Sequence, residues 1–157
     1  MHNFTLGNVL YVDFEDGTDG TCDSVDSPCK YLERAMKVVK PNGKIFIIGK
    51  QPLTTTIDID KNVSVRCLGS RKNAIITTND GRYAFKILNW YVTVRLTCIE
   101  FKDALVVAIS KRSSVIFDKC TVTGILSATS SVFGVNAGGT YLHVYNSKFI
   151  NMTSYVV

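Results

Sequence analysis

A chain of 157 residues with 46% apolar and 10% aromatic side chains is long enough for about one domain with a buried core, which excludes a disordered chain. It contains no run of about 18 apolar residues, so no membrane-spanning helix is written into it, and Met1-His-Asn-Phe-Thr-Leu-Gly lacks the cationic and apolar segments of a secretory signal. The net charge of +5 is unevenly held: Asp13, Glu15, Asp16, Asp19, Asp23 and Asp26 lie in a segment without Lys or Arg, leaving seven carboxylates against 18 cations elsewhere, a balance of +11.

In chain order, Asn8-Val-Leu-Tyr-Val-Asp-Phe reads as a first strand, ended by the turn-rich Glu15-Asp-Gly-Thr-Asp-Gly-Thr. In the acidic loop that follows, Asp16, Asp19 and Asp23 have the oxygen chemistry of a calcium site, but not the spacing of an EF-hand. The alternative is an Asp/Gly turn that satisfies its own backbone. Cys22 and Cys29 enclose six residues, a loop a disulfide can clip. Ser27 or Asp26 is expected to cap a helix with Pro28 in its first turn, and Leu32, Ala35, Met36 and Val39 make one apolar stripe on it. Pro41-Asn-Gly ends the helix, and Lys44-Ile-Phe-Ile-Ile-Gly is a strand apolar on both faces.

From Val63 onward the sequence repeats. Val94-Arg-Leu-Thr-Cys-Ile-Glu-Phe aligns with Val115-Ile-Phe-Asp-Lys-Cys-Thr-Val and with Leu142-His-Val-Tyr-Asn-Ser-Lys-Phe, and Val63-Ser-Val-Arg-Cys-Leu fits the same register. Starts at 63, 94, 115 and 142 are spaced unevenly, as in a β-solenoid whose strands are fixed while its loops vary. Stacking the copies predicts a file Arg95, Ile116, His143, a second file Thr97, Asp118, Tyr145 and a third Glu100, Thr121, Lys148, with Leu96, Phe117 and Val144 inward. Cys67 and Cys98 fall at one position in successive copies, close enough for stacked thiols or a disulfide, and are expected as stacked thiols. Ala74, Ala84 and Ala104 open further strands, whereas Ser127-Ala-Thr-Ser-Ser and Ala137-Gly-Gly-Thr read as loops. Asn3, Asn62 and Asn151 head glycosylation tripeptides.

The order of Leu10-Tyr-Val-Asp, the Gly/Asp loop, Ser27-Pro-Cys-Lys-Tyr-Leu-Glu-Arg-Ala-Met, Pro41-Asn-Gly-Lys-Ile-Phe-Ile-Ile and Val63-Ser-Val-Arg-Cys-Leu-Gly resembles the N-terminal part of the pectin-lyase-like superfamily. That resemblance implies an all-β fold, a right-handed parallel β-helix (solenoid) whose first coil is plugged by an N-terminal capping α-helix. Residues 1–157 then form one domain, with strand, acidic loop and cap in 1–50 and coils in 51–157, open to being part of a longer protein. Gly138-Gly-Thr-Tyr and Phe149-Ile-Asn are also similar to the repeats of polymorphic outer-membrane adhesins.

Enzymes of the superfamily gather several carboxylates on the solenoid. Here Glu100, Asp103 and Asp118 align with Thr121, Gly124 and Thr97, so no carboxylate stacks on another, and His143 has no acidic partner in its file. The expectation is therefore a non-catalytic surface, adhesion or acidic-glycan-binding module, placed extracellularly or at the cell surface. The competing classes are a fragment of a polysaccharide lyase or esterase and a structural component of a virion or fibre. Arg66, Arg95, Lys102, Lys111 and Arg112, from a longer run of cations through the coils, and Trp90, a ring that either stacks on a sugar or packs against its neighbours, are the candidate glycan contacts. No basic helix, zinc finger or aromatic RNA-binding signature favours nucleic acid over glycan. No cofactor is expected beyond the calcium option. The C-terminal coil, without an evident cap, predicts self-association, which sedimentation would detect.

Overall fold

The structure, a computed structural model, describes residues 8–69, 74–124 and 131–152. Its strands are β1 (Val9–Asp13), β2 (Gly43–Ile48), β3 (Lys50–Leu53), β4 (Ile57–Ile59), β5 (Val63–Cys67), β6 (Ala74–Thr78), β7 (Tyr83–Ile87), β8 (Thr93–Thr97), β9 (Ile99–Lys102), β10 (Leu105–Ile109), β11 (Ser114–Asp118), β12 (Thr121–Thr123), β13 (Phe133–Val135), β14 (Tyr141–Tyr145) and β15 (Lys148–Ile150). Every third strand from β2 onward returns to the same sheet. The first sheet runs β1-β2-β5-β8-β11-β14, the second β3-β6-β9-β12-β15 and the third β4-β7-β10-β13, and all their pairings are parallel. The chain is a three-sided parallel β-solenoid.

Parity along each strand fixes what faces inward. In the first sheet Val94, Leu96, Val115 and Phe117 are buried while Thr93, Arg95, Ser114 and Ile116 lie outside. The pairings Arg95–Ile116–His143, Thr97–Asp118–Tyr145 and Glu100–Thr121–Lys148 are those the repeat alignment expects. Along the axis two inner files alternate bulky and slim side chains: Phe85–Val107–Phe133 in the third sheet and Phe101–Val122–Phe149 in the second. Neighbouring coils therefore interdigitate instead of colliding. Phe117, from the first sheet, completes a ring cluster with centroids 5.8 Å from Phe101, 5.1 Å from Phe133 and 6.3 Å from Phe149.

Corners need a sharp turn without a broken ladder. Between the first and second sheets one residue supplies it in the left-handed region: Gly49, Cys98, Lys119 and Asn146 have φ of 69, 60, 53 and 48°. The ladder continues through the corner, because the Cys98 N–H donates to Asp118 C=O at 3.0 Å and the Lys119 N–H to Tyr145 C=O at 3.1 Å. Such a conformation costs a non-glycine residue about 1–2 kcal/mol, which the continued backbone pairing offsets.

At the N-terminal end, helix α1 (Leu32–Val38) covers the first coil and buries Leu32, Ala35 and Met36, with Val39 as its buried C-cap. Its start differs from the expectation. The helix begins after Tyr31, which makes no side-chain cap, not at Asp26 or Ser27. Ser27 instead closes a turn on Ser24, and Cys29 extends the sheet: its N–H donates to Tyr11 C=O, and its own carbonyl accepts from Asp13 N–H, both at 2.8 Å. Tertiary backbone pairing to β1 takes this segment before the helix can. The acidic loop thus lies along the outer edge of β1, an edge that would otherwise be open to association. Gly17 sits where a Cβ would run into the carbonyls of Asp13 and Cys29, so the loop needs glycine there.

The cysteines depart from expectation once. Cys22 and Cys29 are joined, and so are Cys67 and Cys98, where stacked thiols were expected. Their register brings the Cα atoms to 5.5 Å, within the range a bridge spans. Val144 takes its expected inward place in register with Phe117. It is inward by parity, as Leu96 and Phe117 are, but 39% exposed, because β14 pairs with β11 on one side only. Ile150 is likewise 42% exposed on the edge strand β15. This end is the surface on which the expectation of self-association rests.

Candidate functional site

The outer face of the first sheet carries two of the expected glycan contacts on adjacent strands. Arg66 projects from β5 and Arg95 from β8, where Arg95 pairs with Ser64 and Thr97 with Arg66. Arg66 stands 5.8 Å from the centroid of the Phe46 ring, and Phe46 stacks on Tyr11 at 5.5 Å. Above Arg95 the file passes through Ile116 to His143.

The corner leading into β8 holds three more. Trp90 and Tyr91 are 59% and 73% exposed, because the chain turns there with Tyr91 at φ 59°. The corresponding turn one coil later supplies the cations: Lys111 Nζ lies 5.3 Å from the Trp90 ring and the Arg112 guanidinium 5.9 Å from that of Tyr91, both within cation–π range. The Tyr91 N–H donates to Arg112 C=O at 2.6 Å, fixing the two turns together. In the next coil Gly139 (φ 74°) lies under the Arg112 side chain, where a Cβ would meet Nε at 2.8 Å. A shallow cleft of about 220 Å³ opens between Tyr91, Arg112, Gly139 and Tyr141. Lys102, by contrast, extends from the second sheet beside Thr77 and Thr123. The six expected contacts therefore divide into a corner group, a first-sheet pair and one residue on another side. Of the further cations in the run through the coils, Arg71 and Lys72 lie outside the described residues.

The acidic loop is held by its own hydrogen bonds. Among the described residues no three His, Cys, Asp or Glu side chains converge as metal ligands, so Asp16, Asp19 and Asp23 are not brought together. Asp13 instead accepts the Glu15 and Asp16 N–H groups at 3.0 and 3.2 Å, and Asp23 accepts from Thr21 Oγ1 at 2.6 Å. These are the self-satisfied turns that Asp-rich loops form. Two carboxylates of the coils are engaged across coils: Glu100 accepts from Thr123 Oγ1 at 3.0 Å and Asp118 from Asn146 Nδ2 at 3.1 Å. Asp80 pairs with Arg82, whose guanidinium, as hydrogen-bond donor and neighbouring charge, holds the carboxyl below its ordinary value. Of the glycosylation tripeptides, Asn3 lies outside the described residues, and Asn62 is occupied, accepting from the Thr93 N–H at 2.8 Å and donating to Asn42 at 3.2 Å.

Two features were not anticipated. Tyr141, His143 and Tyr145 stand in one exposed row on β14, legible beforehand in the alternation Tyr-Leu-His-Val-Tyr once the register of Leu142 is set. A cleft of about 620 Å³ also runs beside α1, lined by Phe14, Tyr31, Arg34, Lys37, Val38 and Pro52. No sequence motif announces it, since it arises from docking the cap on the first coil.

Cys120 is the one cysteine outside a disulfide and is buried. Burial pushes its thiol up from 9.0 to about 11. The unfolded chain therefore gives up this proton first as pH rises, so the stability is full below about pH 9 and falls toward pH 11, by on the order of 2 kcal/mol at pH 10.5. Urea unfolding at pH 8 and pH 10.5 tests this. Cys120→Ala lacks the titration, so the stability gap between the two proteins should narrow at the higher pH, and a constant gap would refute the argument.

Compared with protein families, with curated proteins and with solved structures, the chain finds no match.

Proposed function

We propose that the chain is a non-catalytic β-helix module of pectin-lyase-like kind that works at a cell surface and binds acidic glycans. The observation that carries this reading is the pairing of surface cations, Lys111 half-buried and the two arginines exposed, with aromatic rings: Arg66 with Phe46, Lys111 with Trp90 and Arg112 with Tyr91. A cation resting on a ring has already lost part of its rotamer freedom, so less entropy remains to be lost when it meets a carboxylate. The ring beside it offers an apolar edge to the sugar that bears that carboxylate. Two disulfides, Cys22–Cys29 and Cys67–Cys98, support an oxidising location. The carboxylates Glu100 and Asp118, each occupied by a hydrogen bond from the following coil, support structural work for these groups instead of acid–base work.

The test is a glycan array read at low and high salt, paired with an unsaturated-product assay on polygalacturonate with calcium. Acidic polysaccharides should be retained at about 0.05 M salt and released by about 0.5 M, as screening shortens the range of exposed charges, and no product should form. Turnover by the pure chain would make it a lyase, whereas binding absent at every salt concentration would remove the glycan reading.

A further inference from the structure

We propose that the outer face of β14 is the sugar-stacking platform of this surface. Successive residues of an acidic oligosaccharide lie on Tyr141, His143 and Tyr145, with one carboxylate held by Arg112 in the cleft between Tyr91 and Tyr141. The inference rests on the acidic-glycan reading and adds a site, a direction and a polarity. The oligosaccharide runs along the strand and across the solenoid axis.

Three observations carry it. The rings occupy alternate positions of one strand, and their centroids are 6.5 and 6.0 Å apart with planes within 11 and 9° of one another. They keep the strand's own repeat of about 6.6 Å for every second residue, so the row is a regular array of three rings. Beneath it, in register, β11 presents Ser114, Ile116 and Asp118, all smaller than the rings above, so the aromatic row stands proud of the sheet. Tyr141 and Tyr145 are 56% and 51% exposed, and Tyr145 Oη lies 3.3 Å from His143 Nδ1, which ties two rings into one surface. Aromatic area left in water in this arrangement is the mark of a binding face.

Polarity comes from the two ends. Beyond Tyr141 stand Arg112 and the cleft of about 220 Å³ it shares with Tyr91. Beneath Tyr145 lies Asp118, whose carboxylate is already taken by Asn146. An anionic sugar is favoured at the Tyr141 end, where Arg112 borders the cleft, so the acidic residue anchors there and the rest of the chain extends over His143 to Tyr145. Single-stranded nucleic acid also stacks on aromatic rows beside cations. The observations favour a glycan because the cleft beside Arg112 lies at one end of the row, where it suits an anchoring carboxylate on a sugar.

The experiment is a titration of the full chain at low salt with oligogalacturonates from dimer to hexamer, followed by NMR or calorimetry. Affinity should rise with length and then level once the three rings are covered. Tyr145→Ala should remove the gain of the longer oligomers, about 3- to 10-fold, and leave the dimer unchanged. Tyr145→Phe, which keeps the ring, should behave as the wild type and guards against a simple folding defect. Arg112→Gln should weaken every length alike. Wild-type binding that Tyr145→Ala leaves untouched at all lengths would overturn this inference while sparing the glycan reading. No wild-type binding at any length would sink both, and tighter binding of oligo(dT) of the same length would replace the sugar by a nucleic acid.

Discussion

Phe117→Ala is expected to cost about 3–5 kcal/mol, the usual penalty for emptying a phenylalanine site in a core, and so to remove a large part of a total stability of about 5–15 kcal/mol. Phe117 is fully buried and touches rings from both other sheets, at 5.8 Å to Phe101, 5.1 Å to Phe133 and 6.3 Å to Phe149. A void there opens in the centre of the prism, where three rigid walls held by backbone ladders cannot collapse to fill it. Phe149→Ala should cost much less, because that ring belongs to the edge strand β15 and is only half-buried. Urea unfolding of both variants gives the comparison. A loss below about 1 kcal/mol for Phe117→Ala would mean that the ladders alone hold the coils together.

The phenylalanine cluster was the most legible feature left unread. Phe85, Phe101, Phe117, Phe133 and Phe149 recur at a constant step of 16 residues. Each step advances by two strands and so moves the ring to a different sheet: β7, β9, β11, β13 and β15. The step is shorter than the coil-to-coil spacing, so a search for copies of one strand passes over it. What the aligned copies did disclose was register in the first and second sheets, because period-two burial leaves a single alignment that keeps Val94, Val115 and Leu142 together. The helix start is hidden in the sequence because Ser27 and Pro28 carry a helix-start pattern, while the decisive pairing is that of Cys29 with the backbone of Tyr11 and Asp13 in β1, far from it in sequence. The binding face was only partly legible for a related reason. Which side a cation occupies depends on the corners before it, and an alignment of strands does not count corners. Lys102 and Arg95 are seven residues apart and look alike in sequence, yet one corner, at Cys98, puts them on different sheets.

Removing the Cys67–Cys98 bridge should lower stability by about 3–4 kcal/mol in the chain-entropy account, since the two residues close a loop with a sequence separation of 31. The loop spans a whole coil: β6 and β7 lie inside it, and residues 68–82 hold the extra length that makes this coil the longest between successive first-sheet strands of the repeat. Without the bridge, that coil is held by its ladders and by the burial of Ile76 and Phe85. The double variant Cys67→Ala, Cys98→Ala separates the covalent link from thiol chemistry, and its unfolding midpoint should fall well below that of the wild type under oxidising conditions but match it in reductant. The clip at Cys22–Cys29 encloses a much shorter loop, with a separation of 7, and its removal should cost about 2–3 kcal/mol, spread over the edge of β1 instead of the centre of the stack. Peptide mapping without reductant decides whether the premise holds. Recovery of Cys67 and Cys98 as separate alkylated peptides would return them to stacked thiols, and the oxidising location proposed for the module would lose half its support.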